Sequence, residues 1–125
     1  MANAIIGYDN LFNEGYPKTK RYLALTSGQS VVRGEVLAIV TATGKLETYT
    51  DAGKSTKPFF GISPDDYDAT EGELGGVEVI TGCEVNANAL IFSASGDTAD
   101  ETFVKACRLQ GVHIVPFRDG SFPES

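Results

Sequence analysis

The chain has 125 residues, of which 10 are basic and 17 acidic, a formal net charge of −7; 42% are hydrophobic, and there are 14 Gly, two Cys, one His and no Trp. This length suits one domain with a real core, and no apolar run nears the roughly 20 residues of a membrane helix. The acidic balance argues against nucleic acid as the main partner, and Cys83 and Cys107 are too few for a disulfide framework; they read as small buried hydrophobes of a protein made in a reducing cytosol.

Residues 1–22 do not read as core secondary structure. Ile5, Ile6, Tyr8, Leu11, Phe12, Tyr16 and Tyr22 nevertheless stand there among Asn, Gly, Asp and Pro. Disordered tails usually lack aromatics, so this stretch reads as an arm that packs on the domain or serves a partner. No signal peptide is expected, because Ala4-Ile5-Ile6-Gly7 is a short apolar stretch with no basic residue before it. Lys18-Thr19-Lys20-Arg21 reads as a solvated linker.

From Tyr22 short strands alternate with turns. Glu35–Thr41 is β-branched and apolar, a buried strand, with Gly28 and Gly34 bracketing the sharp turn before it. Thr43-Gly44 marks a turn and Lys45–Thr50 the returning strand. A polar loop over 51–58 precedes a short strand, Phe59-Phe60-Gly61-Ile62, and Ser63–Gly76 is a second loop rich in acids and glycine. In the strand Val77–Asn86, alternation places Val77, Val79, Thr81, Cys83 and Val85 on one face. Ala89–Phe92 is another apolar run. Thr98-x-x-Glu101 fits a capping box at the start of a helix over Asp97–Gln110, with Phe103, Val104 and Cys107 as its buried stripe and Gly111 as its stop. Val112–Val115 is a closing strand, halted by Pro116. The pattern is mainly β, with one short helix near the C-terminus, an arm over 1–22, a domain over 23–115 and a polar tail over 116–125 that carries Phe117 and Phe122.

Charge is unevenly distributed. Residues 1–60 hold seven bases and five acids, whereas residues 61–125 hold three bases and 12 acids. The acidic half reads as a solvated surface that keeps the protein soluble.

No catalytic constellation emerges. His113, the one histidine, sits in an apolar run without a motif, and Cys/His metal sites lack ligands. Gly72-Glu73-Leu74-Gly75-Gly76 lacks the order of a dinucleotide loop and leads into a strand. Asp66–Glu71 fails as a calcium loop, with Glu71 where glycine is required and Val77 where a bidentate Glu is required. No catalytic residue and no metal or other cofactor is assigned. Ser27–Leu37 is similar to the turn and strand that open a lipoyl or biotinyl carrier domain, an alternative reading as a carrier or small binding domain. The next lysine, Lys45 in Thr43-Gly44-Lys45-Leu46, lacks the carrier's Asp-Lys or Met-Lys-Met setting.

The succession of pieces resembles the phage lambda head decoration protein D family over about residues 12–115. It begins with Phe12-Asn13-Glu14-Gly15-Tyr16-Pro17 and continues with Ser27-Gly28-Gln29 and Arg33-Gly34-x-Val36-Leu37. Thr43-Gly44-Lys45, Phe60-Gly61-Ile62, the Val77–Asn86 strand, the Ala89–Phe92 run, the helix and Val112–Val115 follow in order. The ten residues after Val115 and the long acidic loop depart from the family pattern.

This resemblance implies a β-clip-like fold and a homotrimer on the outer surface of an expanded phage head. The protein would be made in the bacterial host cytoplasm and sit at local three-fold positions of the virion. It would hold the major capsid protein together against DNA pressure, with no enzymatic activity and no contact with nucleic acid or membrane. Ile5, Ile6, Tyr8, Leu11, Phe12 and Tyr16 are then expected to form the capsid-binding arm, as a paired strand or a short helix. Phe117 and Phe122 are expected to add tail contacts.

Overall fold

The computed structural model describes residues 11–12, 17–94 and 96–115. Eight strands run in chain order: β1 Thr19–Leu25, β2 Ser30–Val31, β3 Val36–Ile39, β4 Leu46–Thr48, β5 Phe59–Ile62, β6 Tyr67–Asp68, β7 Leu74–Asn86 and β8 Val112–Val115. One helix, α1, covers Glu101–Gln110, and a 3₁₀ turn covers Ala87–Ala89. The domain is mainly β, as its residue pattern predicts.

Six strands form one sheet in the order β1-β4-β3-β5-β7-β8, and β1 pairs with β7 as well. The additional pairing closes β1, β4, β3, β5 and β7 into a small barrel-like ring, with β8 parallel to the far end of β7. The ring's weakest seam is β1–β4, a parallel contact at Leu25–Leu46. A separate ladder joins β2 to β6, so part of the acidic loop is tied down by Ser30–Asp68 and Val31–Tyr67.

Two apolar clusters result. Leu25, Leu37, Leu46, Val77 and Val79 fill the ring, with Val31 and Ala69 closing one end. The other cluster lies between the sheet and α1, where Val36, Ile62, Ile80, Cys83, Val85 and Val112 meet Phe103, Val104 and Cys107. Strand β3 feeds both, with Leu37 inward and Val36 and Ala38 toward the helix side, because successive side chains point to opposite faces. Phe103 stacks edge-on against Phe59 at 5.4 Å and Phe92 at 5.1 Å between ring centres, geometries that aromatic quadrupoles favour.

Strand β7 does not keep the single apolar face that its alternation predicts. Thr19 pairs with Gly82 but Lys20 with Ile80, so a bulge interrupts the ladder there. The extra residue inverts the alternation. Val77 and Val79 therefore face the ring, while Ile80, Cys83 and Val85 face the helix.

Two further elements differ from expectation. Lys18–Arg21 is no linker, since β1 starts at Thr19 and its first four side chains are exposed while its backbone pairs with β7. The helix begins later than Asp97 and is capped by Asp100, not Thr98. The Asp100 carboxylate accepts the Phe103 N–H at 2.9 Å, and an aspartate reaches this donor as well as a threonine does. Gly111 ends the helix at φ +96°, a left-handed conformation that glycine adopts without strain. The apolar run Ala89–Phe92 starts at the end of the 3₁₀ turn and makes a single bridge from Ile91 to Glu35.

Gly61 lies where β5 crosses β7. A Cβ there would stand 2.5 Å from the Ile80 carbonyl oxygen and 2.7 Å from Val79 Cγ2. Gly61→Ala is expected to destabilise the protein by about 1–3 kcal/mol or more. Gly75, whose Cβ would meet open space, should tolerate alanine within about 0.5 kcal/mol. Urea unfolding of the two variants decides; equal midpoints would refute the close approach.

Candidate functional site

The described part of the N-terminal segment is bolted to the sheet. Phe12 forms an antiparallel bridge with Val85, and the Asn86 N–H donates to the Leu11 carbonyl at 3.1 Å. Leu11 is 2% exposed and Phe12 3%. Their side chains complete the cluster under α1, so they are core residues rather than parts of a free arm. Ammonium and guanidinium groups cover the Phe12 ring, Lys18 Nζ at 5.2 Å and the Arg33 carbon at 5.4 Å from its centre. Such contacts contribute about 0.5–2 kcal/mol each.

Arg33 extends this anchor. Its guanidinium donates to the Pro64 carbonyl at 2.6 Å, and its backbone N–H donates to Asp66 Oδ1 at 2.8 Å. One arginine thus joins the root of the N-terminal segment to the acidic loop.

Two glycines shape the turns beside it. Gln29 N–H donates to the Thr26 carbonyl at 3.2 Å, and Glu35 N–H to the Val32 carbonyl at 3.0 Å. Gly28 and Gly34 hold the third position of these turns, each at φ +92°, where a β-carbon is strained. Gly34 has a second constraint, since a Cβ would stand 3.0 Å from the Ala89 carbonyl oxygen and 3.6 Å from Leu11 Cδ1. Val32 lies in this turn, and Ile91 donates its N–H to the Gly34 carbonyl. Both side chains are 42% exposed, so the turn presents apolar surface beside the anchored segment.

Glu35 is the buried acid of the region. It accepts the Val32 N–H at 3.2 Å and is 5% exposed. Burial raises its pKa above the usual carboxylate range, an effect the Val32 hydrogen bond partly offsets.

Both cysteine thiols are buried and reduced; burial pushes Cys83 up to about 12 and Cys107 higher still. Neither is a nucleophile at neutral pH. Lys45 Nζ bonds Glu73 Oε1 at 2.5 Å, and His113 pairs along the backbone with Glu84.

The geometry is that of a β framework with an anchored N-terminal strand, and the comparison with known families agrees. A family model described as bacteriophage lambda head decoration protein D matches residues 6–114. The chain belongs to that family. No curated protein matches it. The family is one of structural phage-head proteins, and the matched span takes in α1 and the described strands up to residue 114 of β8, leaving out the tail.

Of the residues that sequence assigns to contacts with the head, Ile5, Ile6, Tyr8, Tyr16, Phe117 and Phe122 lie outside the described residues. Leu11 and Phe12 are placed in the core. The anchor formed by Lys18, Arg33 and Phe12 has no signal in the sequence, because strands Thr19–Leu25 and Ser30–Val31 separate Arg33 from the other two. Glu35 reads there as an ordinary polar residue at the start of a strand.

The pH dependence of Glu35 follows from its raised pKa. The unfavourable contribution is full when the carboxylate is charged and disappears as pH falls through its folded-state pKa. Glu35→Gln keeps an acceptor for Val32 without the charge. The variant is expected to melt above the parent at pH 7, with the gain vanishing toward pH 4. A gain that grows on acidification would contradict the burial argument.

Proposed function

We propose that this head decoration protein clamps the outside of an expanded phage head as a trimer at local three-fold positions. Its N-terminal residues engage the major capsid protein and so hold neighbouring subunits together against the pressure of packaged DNA. The observation that carries this reading is the family match over residues 6–114. The mechanism is binding, without a catalytic step.

The position of the anchor supports this division of labour. Leu11 and Phe12 are built into the core, so the contact residues assigned to the arm reduce to Ile5, Ile6, Tyr8 and Tyr16. Their backbone groups would be satisfied by adding a strand to a sheet of the shell protein, and their side chains would fill alternate pockets. Ordering ten residues costs about 10–20 kcal/mol of backbone entropy, at about 1–2 kcal/mol each. One arm therefore binds with a modest surplus. Three arms on one trimer act through effective concentration, which raises avidity by about 10²–10⁴. Tyr22 and Leu109, 60% and 89% exposed, are apolar side chains available to a neighbouring copy or to the shell. Phe117 and Phe122 are assigned to a secondary tail contact.

Deleting residues 2–9 is the clean test, because it spares the anchor. Light scattering should give a mass near three chains for the parent and the deletion. The parent should co-sediment saturably with expanded empty heads and the deletion should not. Retained binding by the deletion would overturn the assignment of the arm, and a monomeric parent that ignores heads would overturn the whole reading. Deleting residues 1–16 instead removes two core side chains, each worth about 2–5 kcal/mol, so loss of binding there would report unfolding.

A further inference from the structure

A cleft of about 200 Å³ opens between the loop after β4 and the segment leading into α1. Tyr49, Phe92 and Phe103 supply its aromatic walls, and Asp51, Asp97 and Asp100 its polar groups.

The carboxylates are only half employed. Asp97 Oδ2 accepts the Asp51 N–H at 3.0 Å, Asp100 Oδ1 accepts the Phe103 N–H at 2.9 Å, and Asp51 Oδ1 accepts Lys54 Nζ at 3.1 Å. The second oxygen of each has no partner among the described residues. Among the described residues Lys54 is the one cation bonded to the cleft; it answers only Asp51 and stands at the exposed rim.

Tyr49 is the independent sign of a ligand. The residue is 4% exposed, yet its hydroxyl makes no hydrogen bond among the described residues. A buried hydroxyl without a partner costs about 1–3 kcal/mol, so such groups are rare in native proteins. Burial, and then the negative charge of Asp51 and, more weakly, Asp97 and Asp100, push the phenol up to about 12. The hydroxyl thus stays neutral, with its oxygen available to an incoming N–H donor.

We infer that this cleft receives a lysine or arginine side chain of the shell protein, an inference that rests on the head-binding reading. Three features select that occupant. The negative charge selects a cation. No group of three or more acidic, Cys or His side chains stands close enough to hold a metal ion among the described residues, so the cation is broader than a bare ion. A volume of this size is far larger than one water and fits a guanidinium or ammonium with its stem, and the aromatic walls favour an organic cation. A second copy of this chain fits less well. Its Lys20, Lys45, Lys54 and Lys57 are already paired with acids of their own chain.

Tyr49→Phe and Asp97→Asn test this in the full-length chain. Removing an unpartnered buried hydroxyl should raise the melting temperature of the free protein by about 2–5 °C. The same substitution should weaken co-sedimentation with expanded heads by about tenfold, the worth of one hydrogen bond to a charged group. Asp97→Asn keeps the acceptor for Asp51, so it should fold normally and weaken head binding by a similar factor. Free L-arginine amide, titrated against the labelled parent by two-dimensional NMR, should move the resonances of Tyr49, Asp51, Asp97 and Asp100, and those shifts should be lost in both variants.

A melting temperature that falls in Tyr49→Phe would show the hydroxyl to be internally satisfied and would overturn the inference. Unchanged head binding by both variants, or no shifts with arginine amide, would do the same. A change in the mass of the free protein on substitution would assign the cleft to a second copy instead, against the occupant named here. If the parent itself ignores heads, the head-binding reading fails, and the arginine amide titration still decides whether the cleft takes a cation.

Discussion

The whole domain depends on one strand serving two cores. β7 is 13 residues long and pairs with β1, β5, β8 and the Phe12 bridge. Its first half closes the ring and its second half floors the helix. A regular strand could not do both with one apolar face, because its period of two would send Ile80 and Cys83 to opposite sides. The bulge at Thr81–Gly82 resolves this by one residue of slip. Gly82 makes the slip compatible with the neighbouring strand, since a Cβ there would stand 2.9 Å from Thr19 Oγ1.

That arrangement also decides where the chain can reach outward. β1 covers one edge of β7 as far as Gly82, and Phe12 takes the same strand again at Val85. Leu11 and Phe12 therefore hold the N-terminal segment at a fixed point on the most heavily paired strand. Arg33 ties the same point to the acidic loop. A tensile load applied to the segment would be carried into the sheet rather than into a loop, which suits a protein whose family decorates phage heads.

Much of this frame is legible in the sequence. Phe59–Ile62 has the bounds that its apolar run predicts, β3 lies inside the predicted 35–41, and Gly111 ends the helix. These elements are set by local chemistry: β-branched runs, turn glycines and a left-handed stop. The two-faced character of β7 is not legible, because a bulge leaves no residue pattern beyond a glycine in a strand. The capping residue is ambiguous for a similar reason, as Asp97, Thr98 and Asp100 all suit a helix start and only the buried Ala99 fixes which one is in place. Leu11 and Phe12 read as arm residues because their partners, Val85, Gly34 and Arg33, are distant in the chain. The pairing of β2 with β6 is two residues long and gives no periodicity. For the cleft, Tyr49, Asp51 and Asp97 come together only through tertiary folding, and in the sequence those acids blend into a generally acidic half.

The placement of charge acquires a meaning that the sequence alone withholds. Several acids of the second half are spent inside the chain, Glu73 on Lys45, Glu78 on Lys20 and Asp66 on the Arg33 backbone. Exposed pairs of this kind are worth little for stability, about 0–1 kcal/mol each. Their consequence is to remove basic groups from the surface without removing the net negative charge. The acids at the cleft stand beside buried aromatic rings. In the proposed clamp, an anchored arm would supply reach and a shared strand, both indifferent to the partner's side chains. A cleft that took one cation in one place would add the register that backbone pairing alone leaves open.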